Sequence, residues 1–398
     1  MQPLKNINLW SSNTPASFWQ PRIDLEQDVW WQACRNSLCI LGLPEAPDDM
    51  ETLLALILGE ARFGPNHWQM SFPKQLYYIA KPALPRTFTK NLRRFSAQMD
   101  AATREHWPIE DRYARFLWEV MRQILLLSGK DTLEIRNFWP GANQFALVLT
   151  HDVETALGQR FVRAVADLDE SMGYRSSFNF VPERYQVDFQ LLDELRRRGF
   201  EIGVHGLKHD GRLFTSRKTF TECAQRINQY ANQWHSAGFR CELTLRQPDW
   251  MQYLNIEYDL SFFDTDPFEP IPGGTMSIWP FTLGHFLELP YTLVQDYTLT
   301  AIINERTPKI WLQKVGFIQD YHGMALVNSH PDYLKQEINW RVYQDFLAAM
   351  RDMPDCWHAL PRQVADWWHR RSCSEDQFLQ DGHWVPVRLC HDQLQIGE

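Results

Sequence analysis

Histidines and acidic residues recur at the ends of apolar runs in this sequence. They are His151 and Asp152 in "LTHDVE", His205 and His209 in "VHGLKHD", and His330 in "LVNSHPDY". Imidazole nitrogens and carboxylate oxygens are the ligands that zinc takes in hydrolytic sites, where an open position remains for water. This pattern predicts a metal-dependent hydrolase.

The two histidines of "VHGLKHD" are four residues apart. On a helical turn, this spacing places both imidazoles on one side, where they can chelate one ion. Taken alone, the pair is also typical of a polar loop after a strand. Asp152 adds a carboxylate at the end of a neighbouring strand, and the three residues together favour a metal site.

His330 ends a later apolar run, "ALVNSHPDY". A single histidine in such a place is more often structural. Because it joins the other polar groups at strand ends, it becomes a candidate general acid or base.

The segments that carry these residues alternate between strands and helices. Strands are predicted at "FALVLTHD", "SSFNFVP" and "FEIGVHG", and helices at "GQRFVRAVADLDESMG" and "DFQLLDELRRRG". The alternation is typical of parallel strands with crossover helices, in an α/β sheet or barrel. Ligands of such folds bind at the carboxyl ends of the strands, where these histidines and acids are expected to lie.

The composition excludes several classes of protein. The 398 residues are 44% apolar, which indicates a globular chain, and the net charge of 40 − 49 = −9 gives no field that attracts nucleic acid. The N-terminus lacks the pattern of a signal peptide and no window resembles a membrane span, so we expect a cytoplasmic protein. Seven scattered cysteines without a CxxC pair indicate reduced thiols.

Three regions are predicted along the chain. Residues 1–140 are mostly helical, with helices in "METLLALILGEARFG" and in "DRYARFLWEVMRQILLLSGK", the latter capped by Gly129, and a basic stretch "KPALPRTFTKNLRRF" between them. Residues 141–372 carry the α/β pattern, and residues 373–398 form a C-terminal tail. No motif indicates the role of the first region, and three alternatives stay open: a lid over the ligand cleft, an oligomer interface, and so a homo-oligomer, or a docking surface for a partner.

Taken together, the chemical segments resemble the polysaccharide deacetylase family, with the NodB homology fold of carbohydrate esterase family 4. Over about residues 141–370, the order matches: an aspartate at a strand end, His-x-x-x-His, an arginine segment, an acidic loop, and a late strand ending in histidine. The resemblance implies a distorted (β/α) barrel that hydrolyses N-acetyl or O-acetyl groups on sugars with a divalent metal.

The resemblance also implies roles for individual residues. The metal ligands of the family match Asp152, His205 and His209. Its arginine matches either Arg246, which fits the literal R-x-P pattern in "LRQPDW", or Arg240 in "GFRCEL", which follows Gly-Phe and is better spaced from the acidic segment. We assign Arg240.

The catalytic histidine of the family matches His330, and the aspartate that orients it matches Asp296 in "ELPYTLVQD". Asp264 and Asp266 in "FFDTDPF" compete for the second role, although they are more typical of a loop.

One position departs from the family. Where its first motif has an acid that acts as general base, this sequence has His151. An imidazole with a pKa near ~6.5 can accept a proton from activated water. Three alternatives stay open: His151 accepts the proton, binds the ion, or marks a protein that has lost turnover.

The expected function is hydrolysis of the acetyl group of an N-acetylated sugar or saccharide, with a divalent metal, zinc by ligand type. The alternatives are the same site acting on another linear or cyclic C–N amide bond, and an inactive saccharide-binding module. A cytoplasmic deacetylase would take a nucleotide-linked or lipid-linked precursor. Trp250 and Tyr291 are candidates to stack on the sugar, although core positions are favoured for both.

Overall fold

The structure is a computed structural model that describes residues 9–65, 67–69, 106–391 and 393–397. Its centre is a nine-stranded, mainly parallel sheet. The strands of this sheet are β2 (Phe145–Val153), β3 (Ser177–Phe180), β4 (Glu201–His205), β5 (Gly238–Arg240), β6 (Tyr258–Asp259), β7 (Phe281–Leu283), β8 (Phe286–Glu288), β9 (Met324–Ser329) and β10 (Cys356–Ala359). A second, three-stranded sheet contains β1 (Thr132–Arg136), β11 (Trp384–Cys390) and β12 (Gln393–Ile396).

The large sheet curls into a distorted barrel. Its order is β10-β2-β3-β4-β5-β6-β8-β7, and β9 pairs with the other edge of β2. All neighbours are parallel except β7 and β8. Two parallel bridges, Phe263 to Tyr291 and Leu293 to Val327, connect the β6 end of the sheet to β9 through the segment after β8. We call the Leu293–Val327 contact the barrel seam.

Helices cover the outside of the barrel and build the N-terminal region. They are α1 (Pro15–Trp19), α2 (Gln27–Ser37), α3 (Met50–Ile57), α4 (Arg112–Ser128), α5 (Ala156–Ser171), α6 (Phe189–Arg197), α7 (Arg217–Gln233), α8 (Pro248–Met251), α9 (Lys309–Asp320), α10 (Pro331–Leu334), α11 (Glu337–Arg351), α12 (Pro361–Arg371) and α13 (Glu375–Phe378). The crossover helices begin at side-chain caps, since Thr155, Asp188 and Ser216 accept hydrogen bonds from backbone N–H groups of the first turns of α5, α6 and α7.

This architecture confirms the predicted fold class, an α/β barrel preceded by a mostly helical region. The apolar run "FALVLTHD" forms β2, which is buried along its whole length, and the next two predicted strands form β3 and β4. Helix α4 ends where predicted, at Gly129, whose φ of 63° is the left-handed conformation that favours glycine. The α3 helix ends earlier than its sequence pattern, at Ile57.

The regions before and after the barrel meet each other. Strand β1, from the first region, pairs antiparallel with β11, from the predicted tail, and Arg371 at the end of α12 donates to the carbonyl oxygens of Phe18, Arg136 and Asn137. The division at residues 140 and 373 stays a prediction. In the structure, the two flanking regions share one sheet.

A buried ion pair fixes the N-terminal region to the barrel. Glu60 accepts hydrogen bonds from Arg246 Nε and Nη2, both at 2.7 Å, and from the backbone N–H of Gly274 at 2.6 Å. Burial would raise the pKa of Glu60, but the charge of Arg246 lowers it to about 2. A Cβ atom at Gly273 would lie 1.8 Å from Arg246 Nη2, so glycine is needed for this approach.

The remaining expectations for the chain have simple outcomes. The basic stretch at residues 81–95 lies outside the described residues. All seven cysteines are free. Among the residues that the structure describes, no helix combines the length and the apolar character needed to cross a membrane.

Candidate functional site

The site forms inside the barrel, at the carboxyl ends of the strands. Because successive side chains of a strand point to opposite faces, Asp152 faces the barrel interior while His151 faces the helices outside. Asp152 therefore meets residues of four other strands, β3, β4, β5 and β9, whereas His151 meets residues of α5 and α11.

Asp152 is the centre of a buried hydrogen-bond network. Its Oδ1 accepts hydrogen bonds from Asn179 Nδ2 at 2.9 Å and from Arg240 Nη1 at 3.2 Å, and its Oδ2 accepts from Asn328 Nδ2 at 2.8 Å. Burial would raise the pKa of Asp152, but Arg240 and the nearby histidines hold that pKa well below its usual range. Asp152 is thus kept as a carboxylate with fixed orientation.

His205, at the end of β4, directs its unprotonated Nε2 toward Asp152. Its Nδ1 donates to the backbone carbonyl of Arg240 at 3.1 Å, so Nε2 carries the lone pair. Burial lowers the pKa of His205 to about 4, which keeps the ring neutral. Nε2 is buried without a hydrogen-bond partner, and it lies 3.9 Å from Asp152 Oδ2.

His209 and Glu154 complete a group of three possible ligands. His209 Nε2 lies 3.1 Å from Glu154 Oε1, and ligand atoms of Glu154, His205 and His209 all lie within 4.8 Å of one another. Burial would lower the pKa of His209, but the charge of Glu154 raises it. The rings of His205 and His209 contact each other across an irregular loop, in which His209 has a φ of 55°. The prediction of a helical turn between the two histidines is therefore wrong.

His330 and Asp296 form a buried pair beside Glu154. Asp296 Oδ1 accepts a hydrogen bond from His330 Nδ1 at 2.7 Å, and its Oδ2 accepts from the His330 backbone N–H at 3.0 Å. His330 Nε2 is 3.9 Å from Glu154 Oε1. Burial would lower the pKa of His330, but Asp296 raises it to about 10, so the ring is protonated at neutral pH.

Removing the charge of Asp296 is expected to lower the pKa of His330. In Asp296→Asn the burial of the ring is no longer opposed by its main anionic partner, so its pKa should fall from about 10 toward or below the ordinary value of ~6.5. An NMR titration of the histidine ring resonances in chelator-treated protein measures this shift.

The control for this titration is Asp366→Asn, which changes an exposed aspartate on α12. It should leave the His330 titration unchanged. An equally high pKa in Asp296→Asn would show that Asp296 does not hold the proton on His330.

His151 is a core residue and is not brought into the site. Its Nε2 donates to Asp169 Oδ2 at 3.1 Å, its Nδ1 lies 2.7 Å from Ser329 Oγ, and its ring stacks on Phe178. The side chain is fully buried, and Tyr343 packs against it from α11. The pleat of β2 turns His151 away from the ligand group, so the structure does not bring it together with the residues beside which it was predicted to act as base or ligand.

The two arginine candidates separate clearly. Arg240 contacts Asp152, donates to Thr150 Oγ1 at 2.9 Å and to the Leu260 carbonyl, and leaves a buried Nη2 without a partner. Arg246 instead pairs with Glu60 of the N-terminal region. The structure thus brings the assigned arginine, and not its competitor, to the site.

The other sequence candidates lie outside the group. Asp264 pairs with Lys314 at 2.5 Å, and Asp266 accepts a hydrogen bond from the Tyr291 hydroxyl. Tyr291 is buried, and Trp250 packs on aromatic rings, among them Phe214. These contacts place both aromatic candidates in packing roles.

The donor set fits a divalent metal. One carboxylate and two imidazoles within reach of one another, one of them a neutral ring with an orphaned buried nitrogen, are the ligand types of hydrolytic zinc sites. A second conserved feature of such sites is an outer partner that fixes the ring, and the Arg240 carbonyl supplies it for His205. Asp152 lies beside this ligand group and is not one of its three members.

Sequence analysis missed Glu154, Asn179 and Asn328. Glu154 stands two residues after Asp152, and the period of a strand would have placed both acids on one face. Asn179 lies between Phe178 and Phe180, and Asn328 follows the apolar run of β9; a buried amide at such a position indicates a polar partner inside the barrel.

Comparisons with known proteins give the following similarities. No protein-family model and no curated protein sequence matches the chain. Among solved structures, a probable polysaccharide deacetylase from Pseudomonas aeruginosa has a TM-score of 0.48 at 15% identity, over 58% of this chain and 93% of that one. An allantoinase has a TM-score of 0.47 at 13% identity, over 58% and 92%.

A third structure, a CE4 family pseudoenzyme from Bacillus anthracis, has a TM-score of 0.38 at 12% identity, over 57% of this chain and 67% of that one. At these identities and TM-scores, the similarities assign no role to any individual residue of this chain.

Proposed function

We propose that the protein is a metal-dependent hydrolase that removes the acetyl group from an N-acetylated sugar or saccharide. The observation that carries the proposal is the grouping of Glu154, His205 and His209, with the ionised Asp152 3.9 Å from His205 and the protonated His330 3.9 Å from Glu154. A ligand group flanked by a base and an acid is what hydrolysis of an amide requires.

Glu154, His205 and His209 would hold a divalent metal, which when bound would acidify a water molecule for use as the nucleophile. Asp152 Oδ2, which accepts one hydrogen bond from Asn328 and lies 3.9 Å from His205 Nε2, accepts the proton that this water gives up. His330, kept protonated by Asp296, donates a proton to the leaving amine nitrogen. Asp152 lies 3.9 Å from His205 and His330 lies 3.9 Å from Glu154, so both proton-transfer groups adjoin the ligand group and one can accept while the other donates.

The proposal changes two assignments made from sequence. The general base is Asp152 instead of His151, and the carboxylate ligand is Glu154 instead of Asp152. Since the site keeps two carboxylates, the presence of His151 is no longer a reason to expect an inactive saccharide-binding module.

The test is an assay of the full chain with added Zn²⁺, on a panel of N-acetylated sugars, oligosaccharides and nucleotide-linked sugars, and on linear and cyclic amides. Acetate release from an acetylated sugar, lost on chelation, is the expected result. Ammonia release from the amides alone would favour the alternative substrate class. Saccharide binding without metal and without product after long incubation would contradict a hydrolase.

A further inference from the structure

The acidic residue of the late motif, Asp332, lies against the segment that carries Glu154. It stands on the short helix α10, two residues after His330. Its Oδ2 accepts a hydrogen bond from the Glu154 backbone N–H at 3.1 Å, and its Oδ1 accepts one from the Thr155 hydroxyl. Asp332 thus joins the chain after β9 to the chain after β2.

The start of helix α5 is shaped to admit this carboxyl group. Gly158 is buried in the first turn of α5, and a Cβ atom there would lie 2.1 Å from Asp332 Oδ2. Thr155, which caps the same helix by accepting from the Gly158 N–H, is also a donor to Asp332. Any larger residue at position 158 would push the carboxyl group away from Glu154.

Glu154 needs such a support because it lies just past the end of β2. Strand β2 ends at Val153, so no sheet pairing holds the Glu154 backbone, and its side chain is 20% exposed where those of Asp152 and His205 are 3%. Besides Asp332, this segment is contacted by the Tyr185 hydroxyl, which donates to the Val153 carbonyl, and by the rings of His209 and His330 beside the Glu154 carboxylate.

We infer that Asp332 is a positioning residue of the metal site: it fixes the backbone of Glu154, and through it the carboxylate ligand, at a set distance from His330. This inference rests on the proposed function, in which Glu154 is a ligand and His330 the acid. Outer partners that orient ligands commonly contribute 10–100-fold to metal affinity, so about that loss is expected when Asp332 is changed.

The experiment titrates Co²⁺ into chelator-treated full-length protein and records its affinity by calorimetry and its visible absorption spectrum. The variants are Asp332→Asn, which places an N–H₂ or a neutral oxygen against the Glu154 N–H, and Gly158→Ala, which leaves Asp332 unchanged but displaces it. The control is Asp345→Asn, an exposed aspartate on α11. Unfolding midpoints are recorded for all of them.

Both Asp332→Asn and Gly158→Ala should bind Co²⁺ about 10–100-fold more weakly with an altered spectrum, while the control binds like wild type. For Gly158→Ala this loss is expected although alanine is the better helix former, which separates a displaced ligand from a weakened helix. Wild-type affinity and spectrum in folded Asp332→Asn and Gly158→Ala would overturn the inference alone, even where the unfolding midpoint drops. Wild-type protein that binds no Co²⁺ would overturn the ligand set of the proposed function, and the role of Asp332 with it.

Discussion

Replacing His205 with alanine is expected to remove the metal from the protein and reduce hydrolysis to the background rate. Its Nε2 is a buried acceptor without a partner, and the remaining Glu154 and His209 are too few ligands for a tight site. Because Nδ1 makes a single hydrogen bond to a backbone carbonyl, we expect only a small decrease in the free energy of unfolding. Elemental analysis of purified protein, beside the acetate-release assay, measures both effects.

The matched control is His369→Ala, a change of an exposed histidine on α12, which should keep about one ion per chain. Glu154→Gln should lose the metal as His205→Ala does. An unchanged metal content in both His205→Ala and Glu154→Gln would contradict the assignment of these residues as metal ligands.

The second large effect is expected for Asp152→Asn, which should keep the metal while turnover falls about 10²–10⁴-fold. The amide cannot accept the proton, yet it fills the same space among Asn179, Asn328 and Arg240. Metal content and turnover measured on the same preparation separate a base from a ligand. Loss of the metal in Asp152→Asn would instead return Asp152 to the ligand role that the sequence predicts.

His151→Ala distinguishes Asp152, the proposed general base, from His151, the general base predicted from the sequence. In the structure it removes a core side chain and a partner of Asp169, so it should lower the free energy of unfolding by about 2–5 kcal/mol. The folded fraction should keep its metal and its turnover. A stable His151→Ala protein without activity would restore His151 as the base.

The barrel was predictable because its signals are local and repeated. Each strand of the first half is a short apolar run and each crossover helix has a cap, so alternation alone gives the parallel order of β2, β3 and β4. The ends of these strands also located the site, including His205, His209 and His330.

The choice between neighbouring residues was harder to predict. By residue type alone, "LTHDVE" has His151 where the family has an acid. The pleat of β2 instead places residues 152 and 154 on one face of the strand and residue 151 on the opposite face. A strand register decides such a question, and a one-residue shift changes every role.

Contacts between distant segments were beyond the sequence. The pairing of Glu60 with Arg246 spans 186 residues, and the contact of Asp332 with Glu154 spans 178. No local sequence pattern predicts either of these two contacts. Arg246 even fits the R-x-P motif of the arginine role that is assigned to Arg240. Both became visible only when the folded chain brought the segments together.

The barrel seam links the proposed acid to the closure of the sheet. Leu293 and Val327 pair across the seam, and Asp296 and His330 each follow three residues later, so the two side chains meet because both segments run in step. Thr292 Oγ1 donates to the Met324 carbonyl and accepts from the Leu326 N–H, which keeps this alignment. His330 therefore has its high pKa only in a barrel that has closed at the seam in this register. The pKa of His330 thus reports whether the barrel has assembled correctly.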